Sequence, residues 1–229
     1  MASRPCAQKD NSLLIIFDLD GTLIDSAEDL AISMNATRQH FGMEPLDQTL
    51  ISSYVGNGAA VLVRRALGPE ASEMLIAEAL EFFLKFYRAH ALEHTRLYPG
   101  VRELVEQLSA AGHELAVLTN KPVKISNDIV AALGLRKHFP RVYGGDSFAR
   151  KKPDPIGIET LMSEANIAAE ETMMVGDSGV DIQTARNAGV RSCGVAWGFQ
   201  PEAFKTDAPD VLIGEPCELL QAVTRVSAT

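Results

Sequence analysis

The sequence predicts an α/β fold: a doubly wound parallel sheet with a small all-helical domain inserted after its first strand. Three observations lead there. Short apolar runs alternate with amphipathic stretches of helical length, the rhythm of repeated strand, helix, strand units. The runs are rich in Val, Leu, Ile and Met, as strands covered on both faces require. From Ser26 to Thr95 the rhythm breaks, and only helical faces appear.

The candidate strands are Leu13 to Phe17, Glu114 to Leu118, Arg141 to Tyr143, Thr172 to Val175, Ser192 to Val195 and Val211 to Ile213. Between them a helix over Val101 to Ala111 stops at Gly112, and one over Pro122 to Leu133 stops at Gly134. A third, Asp181 to Ala188, closes at Gly189, and a last one follows Pro216 through Val223. Glycine just past a helix supplies its left-handed end, and Pro122 suits a first turn. In the insert, Leu30, Met34 and Phe41, then Leu62, Val63 and Leu67, then Leu75, Leu80, Phe83, Leu84 and Tyr87 mark apolar helix faces. Gly42, Pro45, Gly56, Gly58, Gly68 and Pro69 punctuate them. The expected division is a catalytic core of residues 1–25 and 96–229, with 1–11 a loose N-terminal tail, and a helical domain of residues 26–95, hinged near Ser26 and Tyr98.

A chain of 229 residues with 46% hydrophobic and 22% charged content can bury a core without metal or disulfide staples. Its apolar runs are too short to cross a bilayer, and the first dozen residues lack the apolar centre of a secretory signal, so a cytoplasmic location is expected. Cys6, Cys193 and Cys217 are scattered and suggest neither a disulfide framework nor a zinc site. The net charge of −9 disfavours a nucleic-acid partner. The five histidines show no metal-ligand spacing beside a carboxylate, and Trp197 reads as a packing residue. A monomer or homodimer is expected.

The chemistry concentrates where strands end. Phe17-Asp18-Leu19-Asp20-Gly21-Thr22-Leu23 follows the first strand, and Met174-Val175-Gly176-Asp177-Ser178-Gly179-Val180-Asp181 follows a later one. The carboxyl ends of strands in a doubly wound sheet form the ligand crevice. Should the two strands be neighbours, Asp18, Asp20 and Asp177 converge as an all-oxygen set, and their mutual repulsion favours a hard cation of the Mg²⁺ kind. Leu118-Thr119-Asn120-Lys121 ends another strand with a hydroxyl, an amide and a helix N-terminus, a seat for an anion. Lys151-Lys152-Pro153-Asp154-Pro155 presents an ammonium on a proline-stiffened loop, suited to neutralising phosphate.

Together these motifs resemble the haloacid dehalogenase superfamily, in particular its small phosphatases with a helical cap after the first strand, and most closely the phosphoglycolate phosphatases. Four motifs match in order from Leu13 onward: Asp18-Leu19-Asp20-Gly21-Thr22-Leu23, Thr119-Asn120, Lys152-Pro153-Asp154-Pro155, and Gly176-Asp177-Ser178 with Asp181. The resemblance implies a Rossmann-like core, a small phosphorylated metabolite as partner, 2-phosphoglycolate being favoured, and Mg²⁺ as cofactor. It implies that Asp18 attacks phosphorus, that Asp20 acts as general acid and base, and that Lys152 neutralises charge and orients Asp18. Thr119 and Asn120 would bind the phosphoryl group. The metal would take the Asp18 and Asp177 side chains and the Asp20 carbonyl, with Asp181 steadying that arrangement from behind. An acidic residue at Asp20 argues against carbon–halogen cleavage, and Gly176, where sugar phosphomutases often carry Glu, tilts towards hydrolysis. Tyr54-Val55-Gly56-Asn57-Gly58 resembles the glycine-containing cap loop of phosphoglycolate phosphatases, and its glycines do not fit a dinucleotide fingerprint. Arg64 and Arg65 are read as solvated or paired with the insert's many Glu residues, with a substrate carboxylate as the alternative partner for one of them. A phosphatase for another small or sugar phosphate, a sugar phosphomutase of the same superfamily and a non-enzymatic regulator are the alternatives.

Overall fold

The computed structural model describes residues 12–226, so the expected tail and Cys6 lie outside the described residues. Six strands form one sheet: β1 (Leu14–Phe17), β4 (Glu114–Leu118), β5 (Arg141–Tyr143), β6 (Thr172–Gly176), β7 (Arg191–Val195) and β8 (Val211–Ile213). All pairings are parallel, in the order β5-β4-β1-β6-β7-β8. β1 is therefore central, and the chain winds outward from it in both directions. The crevice at such a reversal of strand order is where ligands bind in open α/β sheets.

The period-two alternation of the strands sorts the core into two layers. Ile15, Phe17, Leu115 and Val117 join a cluster with helices α5 (Val101–Ala110), α6 (Val123–Ala132) and α9 (Glu218–Val226). Leu14, Ile16, Ala116 and Leu118 face the other way, against α7 (Ile156–Ala165) and α8 (Gly179–Ala188). The expected glycine stop of α8 is present: Gly189 has φ of 68°, the left-handed conformation that ends a helix.

Between β1 and β4 stand four helices: α1 (Ala27–His40), α2 (Gln48–Ser53), α3 (Ala59–Leu67) and α4 (Glu73–His90). The chain enters and leaves this insert through a two-stranded antiparallel ribbon, β2 (Ile24–Asp25) with β3 (Arg96–Leu97). Near it Asp29, 1% exposed, accepts hydrogen bonds from the N–H groups of His94 and Thr95 and from Thr95 Oγ1, tying α1 to the returning chain. Two helices go beyond the sequence expectation. α2 is too short to show a periodic face, and its start depends on Asp47 accepting from Thr49 N at 2.8 Å. In α7, Gly157 masks a helical start: a Cβ there would lie 2.5 Å from Leu118 Cδ1, so any side chain would have to displace Leu118 on β4.

Candidate active site

The register of the sheet decides what meets. Phe17 pairs with Val117 on one side and Val175 on the other, so Asp18, Thr119 and Asp177 leave the sheet within two residues of those pairs. Carboxylate oxygens of Asp18, Asp177 and Asp181 lie within 4.8 Å of one another, all buried. Asp18 Oδ1 accepts from Leu19 N at 2.7 Å and lies 3.0 Å from Lys152 Nζ. Lys152 also donates to Asp181 Oδ1 at 2.5 Å, and Asp181 Oδ2 accepts from Ser178 N and Ser178 Oγ. Both Asp181 oxygens are thus committed to protein donors, which suits a bracing role. Asp177 Oδ2 accepts from Phe199 N at 2.7 Å.

One ammonium cannot balance three buried carboxylates. Burial above all, with repulsion from Asp181 and Asp20 and against the pull of Lys152, lifts the Asp18 carboxyl to about 6. Asp177 is pushed well above the ordinary value, again by burial first and then by Asp181 and Asp18. A divalent cation would relieve that excess, and the donor set is all oxygen, as Mg²⁺ requires. The surrounding backbone is shaped to the carboxylate as well: a Cβ on Gly21 would fall 2.2 Å from Asp177 Oδ2, and one on Gly198 would fall 2.2 Å from Asp177 Cβ. Donor chemistry and the glycine cradle both fit such an ion.

Asp20 takes a different direction. Its carboxylate accepts from Ser26 Oγ at 2.6 Å and from Lys121 Nζ at 2.8 and 3.0 Å, apart from the group of three. With the side chain so engaged, its backbone carbonyl is the donor it can offer to a shared ion. Lys121 donates in turn to Tyr87 Oη at 2.6 Å and sits 4.5 Å from the ring centroid. Burial opposes the Lys121 charge, but Asp20 and Tyr87 outweigh it and hold the ammonium above its ordinary pKa. The Tyr87 phenol is itself pushed up to about 12, chiefly by burial. In the sequence, Tyr87 reads only as part of an apolar helix face, and Lys121 carries no recognisable role. The adjacency of Lys121 to Thr119-Asn120 was the available signal, whereas its partner stands 34 positions away.

Thr119 and Asn120, 3% and 6% exposed, also reach the site. The Asn120 side chain does not present its amide as an open anion donor: Nδ2 donates to Gly56 O at 2.9 Å and to Lys152 O at 3.0 Å. It pins the cap loop to the lysine motif. Lys151 Nζ donates to Asn57 O at 2.7 Å, and Gln200 Nε2 donates to Val55 O, so three core side chains hold the loop of residues 54–58 over the sheet. The cleft beneath is tight, with a cavity volume of about 40 Å³, and is walled on the cap side by Val55, Leu62, Phe83 and Leu84. The arginines follow the first reading, solvation or pairing with Glu, rather than the substrate alternative. Arg64 and Arg65 are exposed and absent from the cleft lining, and Arg64 is engaged bidentately by Glu73 at 2.6 and 2.7 Å.

Residues 15–195 match the family model described as haloacid dehalogenase-like hydrolase. The chain is 41% identical over 217 residues to the phosphoglycolate phosphatase of Vibrio parahaemolyticus serotype O3:K6, covering 92% of this chain and 95% of that protein. It is 41% identical over 189 residues to the phosphoglycolate phosphatase of Chromobacterium violaceum, covering 81% and 85%. Among solved structures, one titled as a predicted phosphoglycolate phosphatase from Haemophilus somnus 129pt superimposes with a TM-score of 0.87 at 32% identity, over 93% of this chain and 98% of that one. No described helix is long and apolar enough to cross a membrane.

Proposed function

Because the chain belongs to the haloacid dehalogenase-like hydrolases, we propose that it is a magnesium-dependent phosphatase acting on a small phosphate monoester, with 2-phosphoglycolate as the favoured substrate. The observation that carries this reading is the placement of Asp18 at the switch point, 3.0 Å from the Lys152 ammonium and beside Asp177. Relatives named phosphoglycolate phosphatase at 41% identity support the choice of substrate.

Asp18 is the nucleophile. With Oδ1 fixed by Leu19 N–H and by Lys152, the direction of the second oxygen is fixed too. That oxygen forms a bond to phosphorus as the bond from phosphorus to the ester oxygen breaks, and Asp20 delivers the proton the departing alcohol needs. Asp20 then takes a proton from water as the water oxygen attacks the aspartyl-phosphate, releasing phosphate and restoring Asp18. Ser26 Oγ and Lys121 hold Asp20 in position for both transfers. Thr119 contributes its hydroxyl to the phosphoryl oxygens, while Asn120 closes the cap loop over them. Asp18, Asp177 and the Asp20 carbonyl would hold Mg²⁺, with Asp181 bracing Lys152. The bound ion would supply positive charge between the anionic nucleophile and the anionic phosphate.

The helical segment of residues 26–95 serves as the cap, excluding water during chemistry. We further propose that the enzyme acts as a cytoplasmic monomer or homodimer without a nucleic-acid partner, in keeping with its net charge of −9. Phosphate release across a panel of phosphoglycolate and sugar phosphates, with and without Mg²⁺, tests the function. Absence of metal-dependent release from every ester would overturn it.

A further inference from the structure

We propose that Lys121, positioned by Tyr87, reads a carboxylate carried by the leaving group and so decides which phosphate esters the site favours. This rests on the phosphatase reading and adds the residue that recognises the substrate.

Among the described residues lining the cleft, the charged ones are Asp18, Asp20 and Lys121, so Lys121 is the cation of the lining. The other described cations of the core and insert, the exposed Arg65 included, lie outside that lining. Lys152 is engaged by Asp18 and Asp181, Lys151 is exposed and donates to the cap loop, and Arg64 pairs with Glu73. Lys121 also stands on the side of the cleft where the leaving group must lie, because it contacts Asp20, which faces the ester oxygen. In a phosphorylated 2-hydroxy acid the carboxylate is one methylene from that oxygen and therefore beside Nζ.

An ammonium has three donors. Here two point at Asp20 and the third at Tyr87 Oη. Nζ can exchange one of its two Asp20 contacts for a substrate oxygen without leaving either partner unpaired. The apolar side chains of the wall, Leu30, Leu62, Phe83 and Leu84, offer a carboxylate nothing, so against them an anionic leaving group needs Lys121 as its charged partner. Tyr87 comes from the interior of α4 and is 2% exposed, a rigid support for a flexible side chain.

The test compares kcat/KM for 2-phosphoglycolate and for ethyl phosphate, which keeps the carbon skeleton and lacks the carboxylate. The wild type should prefer phosphoglycolate. Lys121→Met should lower that preference by about tenfold to a hundredfold, the size of one lost hydrogen bond to a charged group. Tyr87→Phe, which removes only the hydroxyl that positions Nζ, should lower it by at least about threefold through KM, and it decides the matter if Lys121→Met fails to fold. A preference retained in either folded variant overturns the role of Lys121 while leaving the phosphatase reading intact. A wild type without preference for phosphoglycolate overturns the substrate reading itself, and this inference with it.

Discussion

Lys152 and Asp18 form a buried ion pair of 3.0 Å, and the same ammonium reaches Asp181 at 2.5 Å. One cation thus stands between two carboxylates that would otherwise repel without screening. Removing it should cost more than activity. Lys152→Met is expected to lower turnover at least about 100-fold and to destabilise the metal-free protein by roughly 3–5 kcal/mol, the cost of leaving buried charge unpaired. Asp18→Asn should abolish turnover too, yet leave the melting temperature at or above that of the wild type, because it relieves repulsion. Calorimetry of the two variants without metal checks the contrast, and equal destabilisation would refute it.

Stability should respond to magnesium in a pH-dependent way. Burial raises the Asp18 carboxyl from 3.8 to about 6. Between those values the folded chain keeps a proton that the unfolded chain has released, so this group costs the metal-free protein stability as pH rises through the window. Magnesium competes with that proton. The rise in melting temperature on adding Mg²⁺ should therefore be small near pH 4 and grow through about pH 6. A shift of constant size across that range would contradict the account.

Gly198→Ala tests the cradle around Asp177 without invoking backbone strain. The added methyl would meet Asp177 Cβ at 2.2 Å and Gly21 O at 2.5 Å, so the carboxylate must move. The Mg²⁺ concentration for half-maximal activity should rise at least about tenfold, the usual penalty for disturbing the support of a metal ligand. An unchanged metal requirement would show that Asp177 holds no ion.

Asp29→Ala probes the base of the cap. It removes a buried carboxylate that satisfies the backbone N–H groups of His94 and Thr95. Urea denaturation should show a loss of about 3 kcal/mol, since the Thr95 N–H and hydroxyl stay buried without a partner. A loss below about 1 kcal/mol would mean that water replaces the carboxylate.

What was legible in the sequence follows from what local patterns encode. Asp18 and Asp177 each end an apolar run, and the switch point of a parallel sheet makes such ends converge, so the acidic centre could be anticipated before any coordinates. Lys152 was legible from its proline-stiffened loop. The Lys121–Tyr87 contact was not, because it joins a sheet end to a helix interior across the cap boundary and leaves no spacing to detect. Asn120 illustrates the same limit: its residue type suits an anion seat, but only the fold shows that its amide hydrogens are spent on Gly56 O and Lys152 O. The pairing of Arg64 was legible as a class, a Glu of the insert, whereas only the fold shows that the partner is Glu73, nine positions on.

In the proposed mechanism Asp18 takes the phosphoryl group onto its own carboxylate. Acid-quenching the enzyme during turnover of 2-phosphoglycolate with Mg²⁺, followed by mass spectrometry of the peptide bearing Asp18, tests it directly. A phosphoryl group on Asp18, absent without metal and absent in Asp18→Asn, is the predicted result. Steady phosphate release by an Asp18→Asn enzyme, or a phosphoryl group trapped on another residue, would contradict it.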